Sequence, residues 1–287
     1  MTSYTDFTSD DARTGIAVPR PDDDKYSRGV LGMVTGSSAY PGAAVLGVEA
    51  ALHTGVGMLR YLGDRRPTDF VLQRRPEAVT AEGRVQAWLV GSGMDAAQRD
   101  TATASRLTAA LSSGLPIVVD AGALDLLPDA TGPVIITPHF RELARVLGVT
   151  RDEIAADPRG AASRAAEKLG VTVLLKGHHT FVAAPDGTRL MASSAPAWLA
   201  TAGAGDALGG ILGALVATHS VEIEADASTL ARLGATASVL HGLAARRASG
   251  GGPLTILGLV AQLPRVIAEL LGEPPSRLHN EPHGSYA

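Results

Sequence analysis

Short apolar runs alternate with longer segments whose apolar positions recur every three or four residues, from about Val30 to about Leu271. The runs VLGMVT (Val30–Thr35), VQAWLV (Val85–Val90), PIVVD (Pro116–Asp120), VIIT (Val134–Thr137) and VTVLLK (Val171–Lys176) are almost continuously apolar. Strands covered on both faces of a parallel sheet read this way, whereas half-exposed strands alternate. Helical spacing predicts helices over Ala43–His53, Ala96–Leu111, Arg141–Leu147, Arg159–Leu169, Asp206–His219, Ser228–Arg247 and Leu257–Leu271. FVAAPDGTRLMA predicts a hairpin that turns at Pro185-Asp186-Gly187. The β, α, β, α order predicts an α/β fold: a mostly parallel central sheet with helices on both faces.

The flanks lack such a period. Residues 1–28 are rich in Asp, Ser, Thr and Pro and are expected as a polar, mobile N-terminal arm; residues 272–287 are expected as a polar C-terminal tail. No Pro/Ser-rich linker divides the span 29–271, so one domain is expected there. Composition adds constraints. With 45% hydrophobic and 19% charged residues the chain has a globular balance, and with only 4% aromatics its core must come from Val, Leu, Ile and Ala. A net charge of −4 gives no basic footprint for nucleic acid or an anionic membrane, and no apolar run is long enough for a bilayer-spanning helix. The absence of cysteine excludes disulfides and a thiol nucleophile. The acidic N-terminus lacks the charged-then-apolar pattern of a signal peptide, so a cytoplasmic location is expected.

In open α/β sheets ligands bind beyond the carboxyl ends of the strands, which directs attention to the loops that follow them. In TAGAGDALGG, Gly203 and Gly205 bring backbone N–H groups together at a helix start, an arrangement that favours an anion. Asp206 follows directly. Such a carboxylate either caps the helix or takes a proton from a hydroxyl that attacks a phosphoryl group, and the stretch alone favours neither. In LLKGHHT a strand ends on Lys176 and turns at Gly177, with His178, His179 and Thr180 beyond; this is either a plain turn or a nucleotide-covering loop, and it is not a Walker motif. Adjacent histidines diverge, so His178 and His179 make a poor metal pair, and no metal ligand is assigned. His139 stands between the strand VIIT and the next helix; a lone histidine is more often structural than catalytic. GSSAYPGAA joins strand to helix through small residues without G-x-G-x-x-G spacing, and GSGMD places Gly91 and Gly93 where backbone must approach closely.

In this order, VTGSSAYPGAAVLGVEAALHTGVGMLR, GSGMD, VVDAGAL, ITPHFRELARVLG, LLKGHHT, APDGT, LATAGAGDALGGILGALVA and HGLAA resemble the ADP-dependent NAD(P)H-hydrate dehydratases of the ribokinase-like superfamily. The resemblance runs from about Tyr26 to Leu271 and implies a ribokinase-like three-layer fold. It implies phosphorylation by ADP of the C6 hydroxyl of the (S)-hydrates of NADH and NADPH (NADHX, NADPHX), then elimination of phosphate to return NAD(P)H, with AMP as the other product. Asp206 would be the base. Lys176, Gly177, His178, His179, Thr180, Gly203 and Gly205 would hold the AMP portion of ADP; Ala43 or Ala44, Gly93, His139 and Asp206 would contact the hydrated dinucleotide. Mg²⁺ is implied as cofactor, a homotetramer as assembly, and a separate NAD(P)HX epimerase as pathway partner, 28 leading residues being too few for an epimerase domain. Three departures stand out: Phe140-Arg141 replace a Pro-Gly turn, Ala195-Pro196 stand where the family has Gly-Asn, and Ala204 replaces a hydroxyl residue. An ATP-dependent vitamin-precursor kinase is the nearest alternative, and a nucleotide sensor without catalysis the next.

Overall fold

A computed structural model describes residues 3–272; the expected C-terminal tail therefore lies, beyond Gly272, outside the described residues. Among the described residues nine strands form one sheet: β1 (Thr5–Asp6), β2 (Val30–Val34), β3 (Met58–Tyr61), β4 (Ala87–Val90), β5 (Ile117–Val119), β6 (Val134–Ile136), β7 (Thr172–Leu175), β8 (Thr180–Ala183) and β9 (Arg189–Ala192). Their spatial order is β1-β9-β8-β7-β6-β5-β4-β2-β3. All neighbours are parallel except β8, which runs antiparallel to both β7 and β9.

The helices are α1 (Ser9–Arg13), α2 (Pro41–Thr54), α3 (Arg65–Arg74), α4 (Thr101–Leu111), α5 (Phe140–Leu147), α6 (Arg151–Ala156), α7 (Pro158–Leu169), α8 (Ala204–Thr218), α9 (Ser220–Ala225), α10 (Thr229–Ser249), α11 (Ile256–Val260) and α12 (Leu263–Leu271). They cover both faces, and the strand side chains divide accordingly. Leu31, Met33, Leu89, Val118, Ile135 and Leu174 pack with α2, α8 and α10 on one side. Val34, Val90, Val119, Ile136, Val173 and Leu175 pack with α4, α5 and α7 on the other. Both alternating sets are buried, which is why these strands lack polar positions.

Helix α8 is buried from Ala207 through Ala217, sandwiched between sheet and helices. Its approach to α2 is set by glycine: a Cβ on Gly210 would overlap the Gly47 carbonyl. Neither residue is there for turn chemistry. They let two backbones touch.

The N-terminal segment differs from expectation. Thr5 and Asp6 pair with Leu190 and Met191 as a sheet edge, and Thr8 and Asp11 form a capping box that starts α1. Ala12 is fully buried, and Phe7 packs beside it. A two-residue strand and a five-residue helix are too short for a hydrophobic period to reveal. The sequence also missed β3 and α3. In α3 only Pro67 and Val71 are buried, so the segment lacks an apolar stripe. The predicted Ala96–Leu111 helix is a 3-10 turn at Ala96–Gln98 followed by α4, and the last predicted helix is split into α11 and α12. Among the described residues, no helix is long and apolar enough to cross a membrane.

Candidate functional site

After β2 the chain moves to β3 on one side, then returns past β2 to β4 and continues the other way. The reversal opens a crevice beyond the carboxyl ends of β2 and β4, where ligands of doubly wound sheets lie. The loops Gly36–Tyr40 and Gly91–Met94 line it. Gly93 (φ +66°) faces Ala43 so closely that a Cβ there would collide with the Ala43 methyl. Ala44, fully buried, faces Gly36 instead. Of the two alanines named from sequence, Ala43 is the one against Gly93.

Asp206 is the third residue of α8, not its cap. The cap position belongs to Gly203, which adopts φ +89° and gives no side-chain cap. A Cβ on Gly203 would press on Leu46 Cδ1, so both the dihedral and the space call for glycine. The Asp206 side chain turns away from its own backbone, and its Oδ1 accepts a hydrogen bond from Ser92 Oγ. Burial pushes the Asp206 carboxyl above the usual carboxylate range. The Ser92 hydroxyl opposes that push, the nearby Asp120 charge adds to it, and the Lys176 ammonium opposes it.

Lys176 leaves the end of β7, and its backbone pairs with the TPH segment: Lys176 N donates to Pro138 O at 2.9 Å. Its ammonium lies 2.8 Å from Asp120 Oδ1, and Thr137 Oγ1 donates to the same oxygen at 2.7 Å. Burial is the largest single influence on this lysine and disfavours its charge, yet Asp120, Glu142 and Asp206 together hold its pKa above the ordinary value. The ammonium also stands beside α8, 3.4 Å from where a Cβ on Gly205 would be. Beneath it, His241 of α10 is buried with an unpartnered Nε2. Burial first, then the Lys176 charge, lowers its pKa to about 4, against a contribution from the Ala204 backbone that favours the charged form. It is therefore neutral near pH 7.

The remaining candidates divide. Gly177 packs near the Phe140 ring, and the His178 and His179 rings meet edge to face with centroids 4.8 Å apart. His179 Nδ1 is 2.8 Å from Ser193 Oγ, which ties this loop to the segment leading into α8, and Thr180 opens β8. His139 is the N-cap of α5: its Nδ1 accepts from the amides of Arg141 and Glu142, and Glu142 Oε2 accepts from His139 N at 2.8 Å. Structural duty thus explains this histidine, although its half-exposed ring still borders the site. Sequence reasoning did not single out Ser92, Asp120, Thr137 or His241. Their partners lie 17 to 114 residues away in the case of the hydrogen bonds, and only the sheet brings them together.

A cleft of ≈1250 Å³ begins at Tyr40, Gly93 and Ala121 and runs down between the 3-10 stretch Ala121–Asp129 and α5. Only its upper end approaches the site: its lining includes neither Asp206 nor Lys176 and continues past Val134 and Thr172, at the amino ends of β6 and β7, to Asp186 and Leu230. Among the described residues, no group of three or more His, Asp and Glu side chains converges as a metal cage.

A sequence model of the family described as NAD(P)H-hydrate dehydratase matches residues 31–255. The bifunctional NAD(P)H-hydrate repair enzyme of Mycobacterium tuberculosis is 42% identical over 229 residues, which cover 76% of this chain and 47% of that enzyme. The ADP-dependent (S)-NAD(P)H-hydrate dehydratase of Neisseria meningitidis serogroup B is 35% identical over 236 residues, or 76% of this chain and 79% of that one. The crystal structure of the ADP/ATP-dependent NAD(P)H-hydrate dehydratase of Bacillus subtilis, co-crystallised with ATP/Mg²⁺, superposes with a TM-score of 0.82 at 25% identity, covering 94% of this chain and 100% of that one. The chain spans about half the length of the bifunctional relative.

Proposed function

We propose that this chain, which belongs to the NAD(P)H-hydrate dehydratase family, catalyses ADP-dependent dehydration of the (S)-hydrates of NADH and NADPH, with AMP and phosphate as the other products. One observation carries the reading. A part-buried carboxylate, Asp206, and a part-buried ammonium, Lys176, stand close enough to feel each other's charge at the amino end of a buried helix, beyond the carboxyl edge of the sheet.

The chemistry follows from that placement. At the start of α8, Ala204 N donates to Thr201 O and Ala207 N to Gly203 O, which leaves the amides of Gly205 and Asp206, with the helix dipole, to favour a phosphate there. Lys176, shared with Asp120, adds a fixed positive charge for the transferring phosphoryl group. Asp206 takes the proton of the C6 hydroxyl as its oxygen attacks the β-phosphorus of ADP and AMP leaves. Burial strengthens the base by raising its pKa toward working pH. In the second step the ring nitrogen pushes out the C6 phosphate ester as phosphate, and loss of a proton from the adjacent ring carbon restores NAD(P)H.

Asp120 Oδ1 is already taken by Lys176 and Thr137, and Asp206 Oδ1 by Ser92, so no side chain is assigned to Mg²⁺; the ion would be held chiefly through the phosphates of ADP, as it commonly is in nucleotide sites. When bound, the ion would neutralise phosphate charge as the phosphoryl group transfers. The proposal includes Gly177, His178, His179 and Thr180 as the loop over the AMP portion, and Ala43, Gly93 and the edge of His139 on the dinucleotide side. It also includes a homotetramer and a separate epimerase acting on the same hydrates.

The test incubates the protein with NADHX, Mg²⁺ and either ADP or ATP, following reduced-nicotinamide absorbance and the formation of AMP. Turnover with ADP is expected, and Asp206→Asn should lower it about 1000-fold while ADP still binds. No turnover with ADP overturns the reading, and turnover with ATP alone makes the protein an ATP-dependent enzyme. Normal turnover by Asp206→Asn removes the carboxylate from catalysis.

A further inference from the structure

We propose that Ser92 is a positioning residue for Asp206: its hydroxyl holds Oδ1, fixes the rotation of the carboxylate and leaves Oδ2 to receive the substrate proton. The inference rests on Asp206 being the base of the reaction proposed above.

Ser92 is only 1% exposed, and its backbone has almost no freedom. It is flanked by Gly91 (φ +91°) and Gly93 (φ +66°), both in dihedrals that other residues rarely adopt. A Cβ on Gly91 would strike the Asp120 carbonyl, and one on Gly93 would strike Ala43. The Ser92 carbonyl accepts from Gly36 N at 2.7 Å, while Gly91 N donates to Val34 O at 3.1 Å. The loop is therefore pinned to β2 on one side and to the end of β5 on the other. At the opposite end of the hydrogen bond, Asp206 sits in the first turn of α8, where the Asp206 carbonyl faces Gly47 of α2. Two rigid backbones thus present one hydroxyl to one carboxylate.

A carboxylate left to itself rotates about its terminal torsion over a broad range. Restraining one oxygen removes that freedom before the substrate arrives, which is how orientation lowers a barrier. The same hydroxyl donates to the charged form and so favours it. Asp206 is otherwise surrounded by Asp120 from the end of β5 and Lys176 from the end of β7; Glu142 of α5 acts on that lysine, and burial together with the lysine keeps His241 of α10 neutral. Ser92 is the neutral donor in this set, so its removal changes no net charge.

The experiment compares wild type, Ser92→Ala and Ser92→Thr in the full chain. Aspartate labelled with ¹³C at the carboxyl gives the midpoint of Asp206 without nucleotide, assigned by its loss in Asp206→Asn. The pH profile of kcat/KM with NADHX, ADP and Mg²⁺ gives the same group in action. In Ser92→Ala the midpoint and the acid limb are both expected to rise by about one pH unit. The limiting kcat should fall about tenfold, with the KM for ADP unchanged. Ser92→Thr, which keeps the hydroxyl, should follow wild type. A purely structural role would lower activity at every pH without moving either midpoint, and that result overturns the proposal. The carboxyl titration needs no turnover: a midpoint that shifts while the acid limb of the rate profile stays put refutes Asp206 as the base, and an unshifted midpoint refutes the coupling itself.

Discussion

Replacing Lys176 by Met removes an ammonium and keeps most of the stem. Asp120 is then left 3% exposed, with Thr137 Oγ1 as its remaining side-chain donor. Breaking a buried ion pair on one side costs about 3 kcal/mol at the low end of its range, and the low end applies because the Lys176 side chain keeps 19% of its exposure. For a domain of this size that corresponds to roughly 6–12 °C in melting temperature. Lys176 has a raised pKa in the folded state, so its contribution is fully present below the unfolded lysine value and is lost only as pH rises through the folded one. The loss should therefore be the same at pH 7 and pH 8. Urea denaturation of wild type, Lys176→Met, Asp120→Asn and the double variant completes a thermodynamic cycle. A coupling of about 1–3 kcal/mol is expected between residues in direct contact. Calorimetric titration with ADP should show affinity reduced about 10- to 100-fold, the worth of one charge-assisted hydrogen bond to phosphate. Additive stability effects, or undiminished ADP affinity, would refute the reasoning.

His241 is neutral and buried in the fold but protonates near 6.5 when unfolded, so the unfolded state binds the extra proton. Stability from this residue is complete above pH 6.5 and falls by up to about 3 kcal/mol as pH drops toward 4. His241→Leu should flatten the acid slope of urea stability measured from pH 7 to 4.5; an unchanged slope would place the acid sensitivity elsewhere. At Gly210 an added methyl overlaps the Gly47 carbonyl, so Gly210→Ala should destabilise by about 1–3 kcal/mol despite the better helix propensity of alanine. Gly205→Ala is the control, because its Cβ would stand at an ordinary 3.4 Å from Lys176 Nζ, and its stability should match or exceed wild type. Thermal melts of the two variants check both, and equal behaviour would mean that the α2–α8 contact is not tight.

The central strands were legible because burial on both faces removes polar residues, and β2, β4, β5, β6 and β7 all fall inside their predicted runs. The four-residue edge strand β3, MLRY, carries a half-buried arginine and gave no such run. The 3-10 stretch Ala121–Asp129 follows neither period, and Ala121 itself adopts a positive φ of 22°. In the site, glycine pairs and the lysine at a strand end were visible locally. A hydrogen bond from Ser92 to Asp206 was not, since nothing in a serine between two glycines says which helix will end above it. At His139 the sequence left a structural and a chemical role both open. Glu142 three residues on completes a capping box, but histidine is an unusual N-cap, so the pattern alone did not announce the structural part.

The three departures from the family pattern bear on parts of the site that side-chain identity influences least. Phe140 begins α5 where the resemblance expects proline; the helix still starts, because His139 and Glu142 cap it, and the Phe140 ring then fills space against Gly177. Ala195 and Pro196 lie in a segment anchored through its backbone, with the Ser194 carbonyl accepting from Arg246 and Ser194 packed on Gly242. Ala204 packs against the apolar cluster beneath α8, so its methyl adds to the core what the missing hydroxyl would have offered to a phosphate. That hydroxyl is worth about 1 kcal/mol as a neutral hydrogen bond, roughly a fivefold change in affinity. The amides of the first turn and the Lys176 charge are untouched by the exchange. On the proposed function, an anion site built from backbone and one fixed ammonium should tolerate alanine there, which an ADP titration of Ala204→Ser against wild type checks by a difference of no more than about fivefold. It would not tolerate loss of the glycine at 203, whose φ of +89° sets the helix start itself.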